Sequence, residues 1–195
     1  MRYGRLPVVA VAGLLAGAPL ALAGSQGQQG AGAGKSAAEG KTTAAGGAKA
    51  TAELKNREGK TVGRVQLTDT AQGVLLRVNL EGAPAGERAF HIHQVGRCEP
   101  PAFESAGPHL NPTGAQHGYM NPKGAHAGDL PNVHVPQDGR LTTEIIARGV
   151  TLQGGANSLL DGDGAAIVMH AKPDDYSTDP SGQAGDRIAC GVIQK

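Results

Sequence analysis

The chain has 195 residues, a formal net charge of +1, only 3% aromatic residues and 31 glycines. That length suits one domain with appendages. The near-neutral charge with no basic stripe excludes a nucleic-acid partner of the electrostatic kind.

Arg2 and Arg5 precede an apolar stretch, Leu6 to Ala23, that ends in Ala21-Leu22-Ala23. A short basic region, an apolar core and a small-x-small end describe a secretory signal peptide, cleaved near Ala23. The protein is therefore expected in the periplasm or cell envelope. Pro7, Pro19 and the interspersed glycines argue against a membrane-spanning helix. Residues 24–48 are Gly, Ala, Gln, Ser, Thr and Lys with one Glu. They offer nothing large and apolar to bury, so they read as a flexible spacer. The folded domain is expected over 49–195.

From Lys49 the pattern alternates with period two. Ala50, Ala52 and Leu54 share a face, a turn follows at Asn56-Arg57-Glu58-Gly59, and a second strand spans Thr61 to Thr68. Val74, Leu76, Val78 and Leu80 mark a third strand, which Gly82 and Pro84 break. A fourth is expected from Arg88 to Val95, with later ones at Pro131–Val135, Arg140–Ala147, Ala165–Ala171 and Asp186–Ile193. Eight short strands without an amphipathic helical window predict an all-β Greek-key barrel or sandwich. The long Gly- and Pro-rich stretch between Gln94 and Leu130 is expected to be functional.

All but one of the seven histidines fall in four short motifs. On the fourth strand, alternation sends Phe90 and Ile92 to the core face and His91 and His93 to the other, where they can chelate one ion. By itself His-x-His is a weak signal, and an exposed surface pair is the alternative. His170 takes the same outward position on the seventh strand. His109, His117, His126 and Asp129, on the long loop, offer three nitrogens and one oxygen, a zinc-like set. His134 matches no ligand position. Two cysteines in an exported chain, Cys98 and Cys190, suggest one structural disulfide; two unrelated buried thiols are the alternative.

His91-Ile92-His93, AGPHLNP around His109, HAGDL from His126, MHAKPDD from Met169 and GDRIACGVI from Gly185 together resemble the copper–zinc superoxide dismutases in their exported bacterial form. The resemblance covers about Lys49 to Ile193. It implies one copper ion held by His91, His93, His109 and His170, and one zinc ion held by His117, His126, Asp129 and a bridging His109. It also implies that Asp174 links a copper-ligand histidine to a zinc-ligand histidine, that Arg187 attracts the superoxide anion, and that Cys98 and Cys190 tie the metal loop to the last strand. His109 would act catalytically with Arg187, and the family leans toward a homodimer. Without the resemblance, Asp174 reads as a solvated loop acid, as expected for Asp175, and Arg187 as a surface charge. A metal buffer or a silent adhesive module are the competing functions; a silent relative would lack copper ligands, and a buffer would need neither Asp174 nor Arg187.

Overall fold

The computed structural model describes residues 47–195. The expected signal peptide and nearly all of the expected spacer lie outside the described residues. The strands are β1 (Lys49–Asn56), β2 (Thr61–Thr70), β3 (Gly73–Glu81), β4 (Gly86–Arg88), β5 (Phe90–His93), β6 (Val133–Val135), β7 (Arg140–Ala147), β8 (Ala166–His170) and β9 (Arg187–Gln194). Seven form an antiparallel sheet in the order β5-β8-β9-β1-β2-β3-β7, and β4 pairs with β6 in a second, short sheet.

The period-two pattern becomes a one-sided core. Ala50, Ala52 and Leu54 are buried beside Val65 and Leu67, and Val74, Leu76, Val78 and Leu80 face them from β3. The register slips between Leu54 and Lys55, a bulge that lets both Val62 and Val65 turn inward. Gly63 sits at that bulge because a Cβ there would come within 2.6 Å of Leu80 Cδ2 and 2.8 Å of the Asn79 carbonyl.

The expected fourth strand is divided. Its first part pairs with β6 and its second with β8, with Ala89 as the corner. Ala89 donates to the Lys172 carbonyl and accepts from the His170 amide, both at 2.9 Å, so its backbone is satisfied across the gap between sheets. The connection between β7 and β8, which carries no motif, is also part of the packing. It supplies Val150, Leu152 and Leu159 to the main core, and the Leu152 amide is fixed by Asp69 Oδ1 at 2.7 Å.

A second apolar cluster covers the other face of β8 and β9: Phe103, Ala106, Ala166, Val168 and Cys190, with Cys98 packed against it. Cys98 and Cys190 form a disulfide that closes 92 residues. The bond and Phe103 pin the segment after β5, which includes a single 3-10 turn at Glu104–Ala106, onto the barrel wall.

Candidate metal centre

β5 is an edge strand, and the loop that follows it folds back over its free edge. Ile92 donates to the Gly128 carbonyl and accepts from Leu110, each at 2.9 Å, and Gln94 donates to Pro108 at 3.0 Å. His91 opposes Asp129 and His93 opposes His109 in the isolated bridges this creates. Gly128 is required by contact: a Cβ there would lie 2.1 Å from the Ile92 carbonyl. The face of β5 that alternation turns away from the core is thus roofed over, and every residue of the strand is buried.

Under that roof two groups of side chains converge. His91, His93, His109 and His170 bring one nitrogen each to within 4.8 Å of one another, and so do His109, His117, His126 and Asp129 with their ligand atoms. All seven residues are buried. His109 belongs to both groups through opposite edges of one ring. Its Nδ1 lies 2.8 Å from Asp129 Oδ1 and 3.4 Å from His126 Nδ1, while its Nε2 faces the first group.

Four buried side-chain atoms among the described residues lack a hydrogen-bond partner: His91 Nδ1, His93 Nε2, His109 Nε2 and His170 Nε2. Orphaned buried polar atoms are costly and rare. These four come one from each member of the first group, so an imidazole-seeking cation such as copper fits them. The second group, three nitrogens and a carboxylate, fits zinc.

The protonation states agree with that fit. Burial holds His93 well below the usual histidine value, His109 down at about 4 and His170 at about 3, and neighbouring imidazoles add to the effect. Their lone pairs are therefore free at neutral pH. Burial also opposes charge on His117, but hydrogen bonds to Asp129 and Asp174 overcome it and raise the ring to about 9. Burial likewise opposes ionisation of Asp129 and Asp174, yet hydrogen bonds from His109 and His117 to the one, and from His117 and His91 to the other, keep both carboxylates ionised. Asp129 is further fixed by the amides of Gly118 and His126, each 3.0 Å from Oδ2.

Asp174 reaches both groups. Oδ2 is 2.9 Å from His91 Nε2 and Oδ1 is 2.9 Å from His117 Nε2. Asn132 clamps it through a reciprocal pair of backbone contacts at 2.8 and 2.9 Å. Asp175 is exposed, and its carboxylate serves only its own loop. His134 is exposed on β6, cross-strand from Glu87, outside the cluster.

Arg187 donates from Nη1 to the Phe103 carbonyl at 2.7 Å and from Nη2 to the Gly107 carbonyl at 2.8 Å. The Gly107 carbonyl also accepts from His93 Nδ1 at 2.8 Å, which couples the guanidinium to the first histidine group. A cleft of about 430 Å³ opens here, lined by Arg57, Glu104, Asp186 and Arg187 among others. Sequence reasoning missed several supports. They are the carbonyls of Gly107 and Gly185, the latter 3.2 Å from His170 Nδ1; Asn132; Tyr119, whose hydroxyl donates to the Asp129 carbonyl; and Gly182, where a Cβ would fall 1.8 Å from Asp174 Oδ1. Only the Asn and Tyr carry a side-chain signal, and neither stands in a ligand motif.

Comparison with known proteins agrees with this geometry. A family profile described as copper/zinc superoxide dismutase matches residues 61–193. The chain is 49% identical over 148 residues to superoxide dismutase [Cu-Zn] 2 of Aquifex aeolicus, covering 75% of this chain and 86% of that one. It is 46% identical over 148 residues to superoxide dismutase [Cu-Zn] of Caulobacter vibrioides, covering 74% and 85%. Among solved structures, a superoxide dismutase-like protein from Bacillus subtilis superposes with a TM-score of 0.71 at 40% identity, covering 73% of this chain and 96% of that one. With the two histidine groups sharing one ring and these likenesses spanning most of the folded region, the chain belongs to the copper/zinc superoxide dismutase family.

Proposed function

We propose that this chain converts two superoxide anions and two protons to oxygen and hydrogen peroxide. In this reading copper is held by His91, His93, His109 and His170, and zinc by His109, His117, His126 and Asp129. The observation that carries it is His109, which offers Nδ1 to one ligand group and an orphaned Nε2 to the other. Bound copper supplies the one-electron acceptor and donor for the two half-reactions, and bound zinc a fixed positive charge.

The rest is done by side chains. Arg187 stays cationic although burial lowers its pKa. Its two carbonyl contacts aim the guanidinium, so it attracts the anion to a defined place. His109 moves the proton: Nε2 takes one up in the first half-reaction and gives it to the reduced oxygen species in the second, with the other proton coming from water. Asp129, with His117 and His126, holds the Nδ1 side of that ring, so the proton is exchanged at Nε2. Asp174 fixes the rings of His91 and His117 through their outer nitrogens. A buffer protein would need the ligand nitrogens but no guanidinium held beside them.

The test is superoxide dismutation by the purified chain loaded with both metals, beside His109→Ala. Wild type should be active; the variant should be inactive and bind zinc less tightly. Full activity with both metals retained in the variant refutes the bridging role. We further propose that cleavage near Ala23 exports the chain with residues 24–48 as a spacer. The basic-apolar-small pattern supports this, and the mass of the secreted protein tests it.

A further inference from the structure

Each imidazole of the cluster, apart from the shared His109, turns one nitrogen away from its ligand group, and nearly all of these outward nitrogens have a close partner. His91 Nε2 and His117 Nε2 meet Asp174, His93 Nδ1 meets the Gly107 carbonyl and His170 Nδ1 the Gly185 carbonyl. His126 is the remaining case. Its Nδ1 faces inward, 3.2 Å from Asp129 Oδ1 and 3.4 Å from His109 Nδ1. Its Nε2 faces Asp179 Oδ1 at 4.0 Å, just beyond hydrogen-bond distance. The same oxygen accepts the backbone amide of His117 at 2.6 Å. One carboxylate from the β8–β9 connection therefore touches two members of the second group.

We propose that Asp179 is a positioning residue for the zinc ligands His117 and His126. A carboxylate facing Nε2 favours the tautomer of His126 with its proton there, which leaves the Nδ1 lone pair for the metal. The bond to the His117 amide fixes the backbone that carries the neighbouring ligand. Asp174 supports His117 but does not reach His126, so Asp179 completes the set. Its side chain is 47% exposed, so its effect belongs at the lower end for such partners. This inference rests on the zinc-ligand assignment proposed above.

The experiment measures zinc affinity of the copper-free full chain by competition with a chromophoric chelator, together with the visible spectrum of cobalt(II) in the same site. Four proteins are compared: wild type, Asp179→Ala, Asp179→Asn and Asp175→Ala. Asp179→Ala should weaken zinc binding by about tenfold and alter the cobalt spectrum. Asp179→Asn, whose amide oxygen still accepts the His117 amide, should fall between it and wild type. Asp175→Ala loosens the same loop without touching a ligand and should change neither readout. Wild-type affinity and spectrum in Asp179→Ala overturn the inference, as does an equal loss in Asp175→Ala, which would make loop order the cause. Wild-type affinity in Asp179→Asn overturns the part concerning His126. If wild type itself takes up no zinc, the ligand assignment fails first and this inference with it.

Discussion

Asp174 Oδ1 lies 2.9 Å from His117 Nε2, so the His117 ring is oriented by a carboxylate whose other oxygen orients His91. Replacing Asp174 by Asn leaves one acceptor oxygen for two ring N–H groups and turns an amide N–H toward the other ring. Zinc affinity should fall about 10- to 100-fold, the usual effect of losing such a partner. Competition with a chelator reads the loss. Unchanged affinity would show that the ligands alone fix the site.

Arg187 is held by two carbonyl groups that a lysine cannot reach together. Arg187→Ala should keep both metals and lower kcat/KM by about tenfold or more, because a focused positive potential typically raises association by 10- to 1,000-fold. Arg187→Lys should recover part of the rate. The wild-type rate should fall with ionic strength, and that of Arg187→Ala less so. Identical salt dependence in the two proteins would remove Arg187 from the capture step.

The proposed ligands are legible in the sequence because each is a side chain in a compact motif, and alternation alone places His91 and His93 on one face. The all-β barrel is legible for the same reason: Ala50, Ala52 and Leu54, or Val74 to Leu80, show their face by period two. The corner at Ala89 is not, since an extended strand and two strands in different sheets have the same alternation. The Gly107 and Gly185 carbonyls carry no residue-type signal at all. The reach of Asp179 to His117 spans 62 residues, and only folding brings the two loops together.

The disulfide acts on the site through Phe103 and Gly107. It pins the segment whose carbonyls hold Arg187, and it closes a long loop. Cys98→Ser with Cys190→Ser should cost about 4–5 kcal/mol on the chain-entropy estimate, read by denaturant unfolding of the metal-free protein. The metal-loaded variant should also lose rate in the manner of Arg187→Ala. A stability loss with kcat/KM unchanged would separate the disulfide from the guanidinium.

His117 in the metal-free protein lies between two carboxylates and titrates at about 9. Its folded value is raised above the ordinary histidine value of about 6.5, so its contribution to metal-free stability is complete below about 6.5. It is lost as pH rises through about 9. On the proposed ligand assignment, zinc takes the neutral His117 ring and must displace that proton. His109 is already neutral above about 4. Zinc affinity should therefore rise about tenfold per pH unit through the neutral range and level off above about 9. Calorimetry in buffers of different ionisation enthalpy should find a proton released at pH 7 that disappears above the plateau. No release at pH 7 would mean that His117 is not an imidazolium in the metal-free protein.

Gly182 and Gly154 offer a controlled comparison. Both have positive φ, 62° and 79°, so an alanine strains the backbone at either position, by about 1 kcal/mol or a little more. Their surroundings differ. Nothing lies within 4 Å of a Cβ at Gly154, whereas one at Gly182 would fall 1.8 Å from Asp174 Oδ1 and 2.7 Å from His117 Nε2. Gly154→Ala should lower the unfolding midpoint slightly and leave metal affinity unchanged. Gly182→Ala must also push the carboxylate off His117, so it should lose zinc affinity about as Asp174→Asn does, with a larger drop in stability. Thermal unfolding and zinc competition on the two variants separate strain from displacement. Equal behaviour in both measurements would mean that the β8–β9 connection yields at Gly182 without moving Asp174.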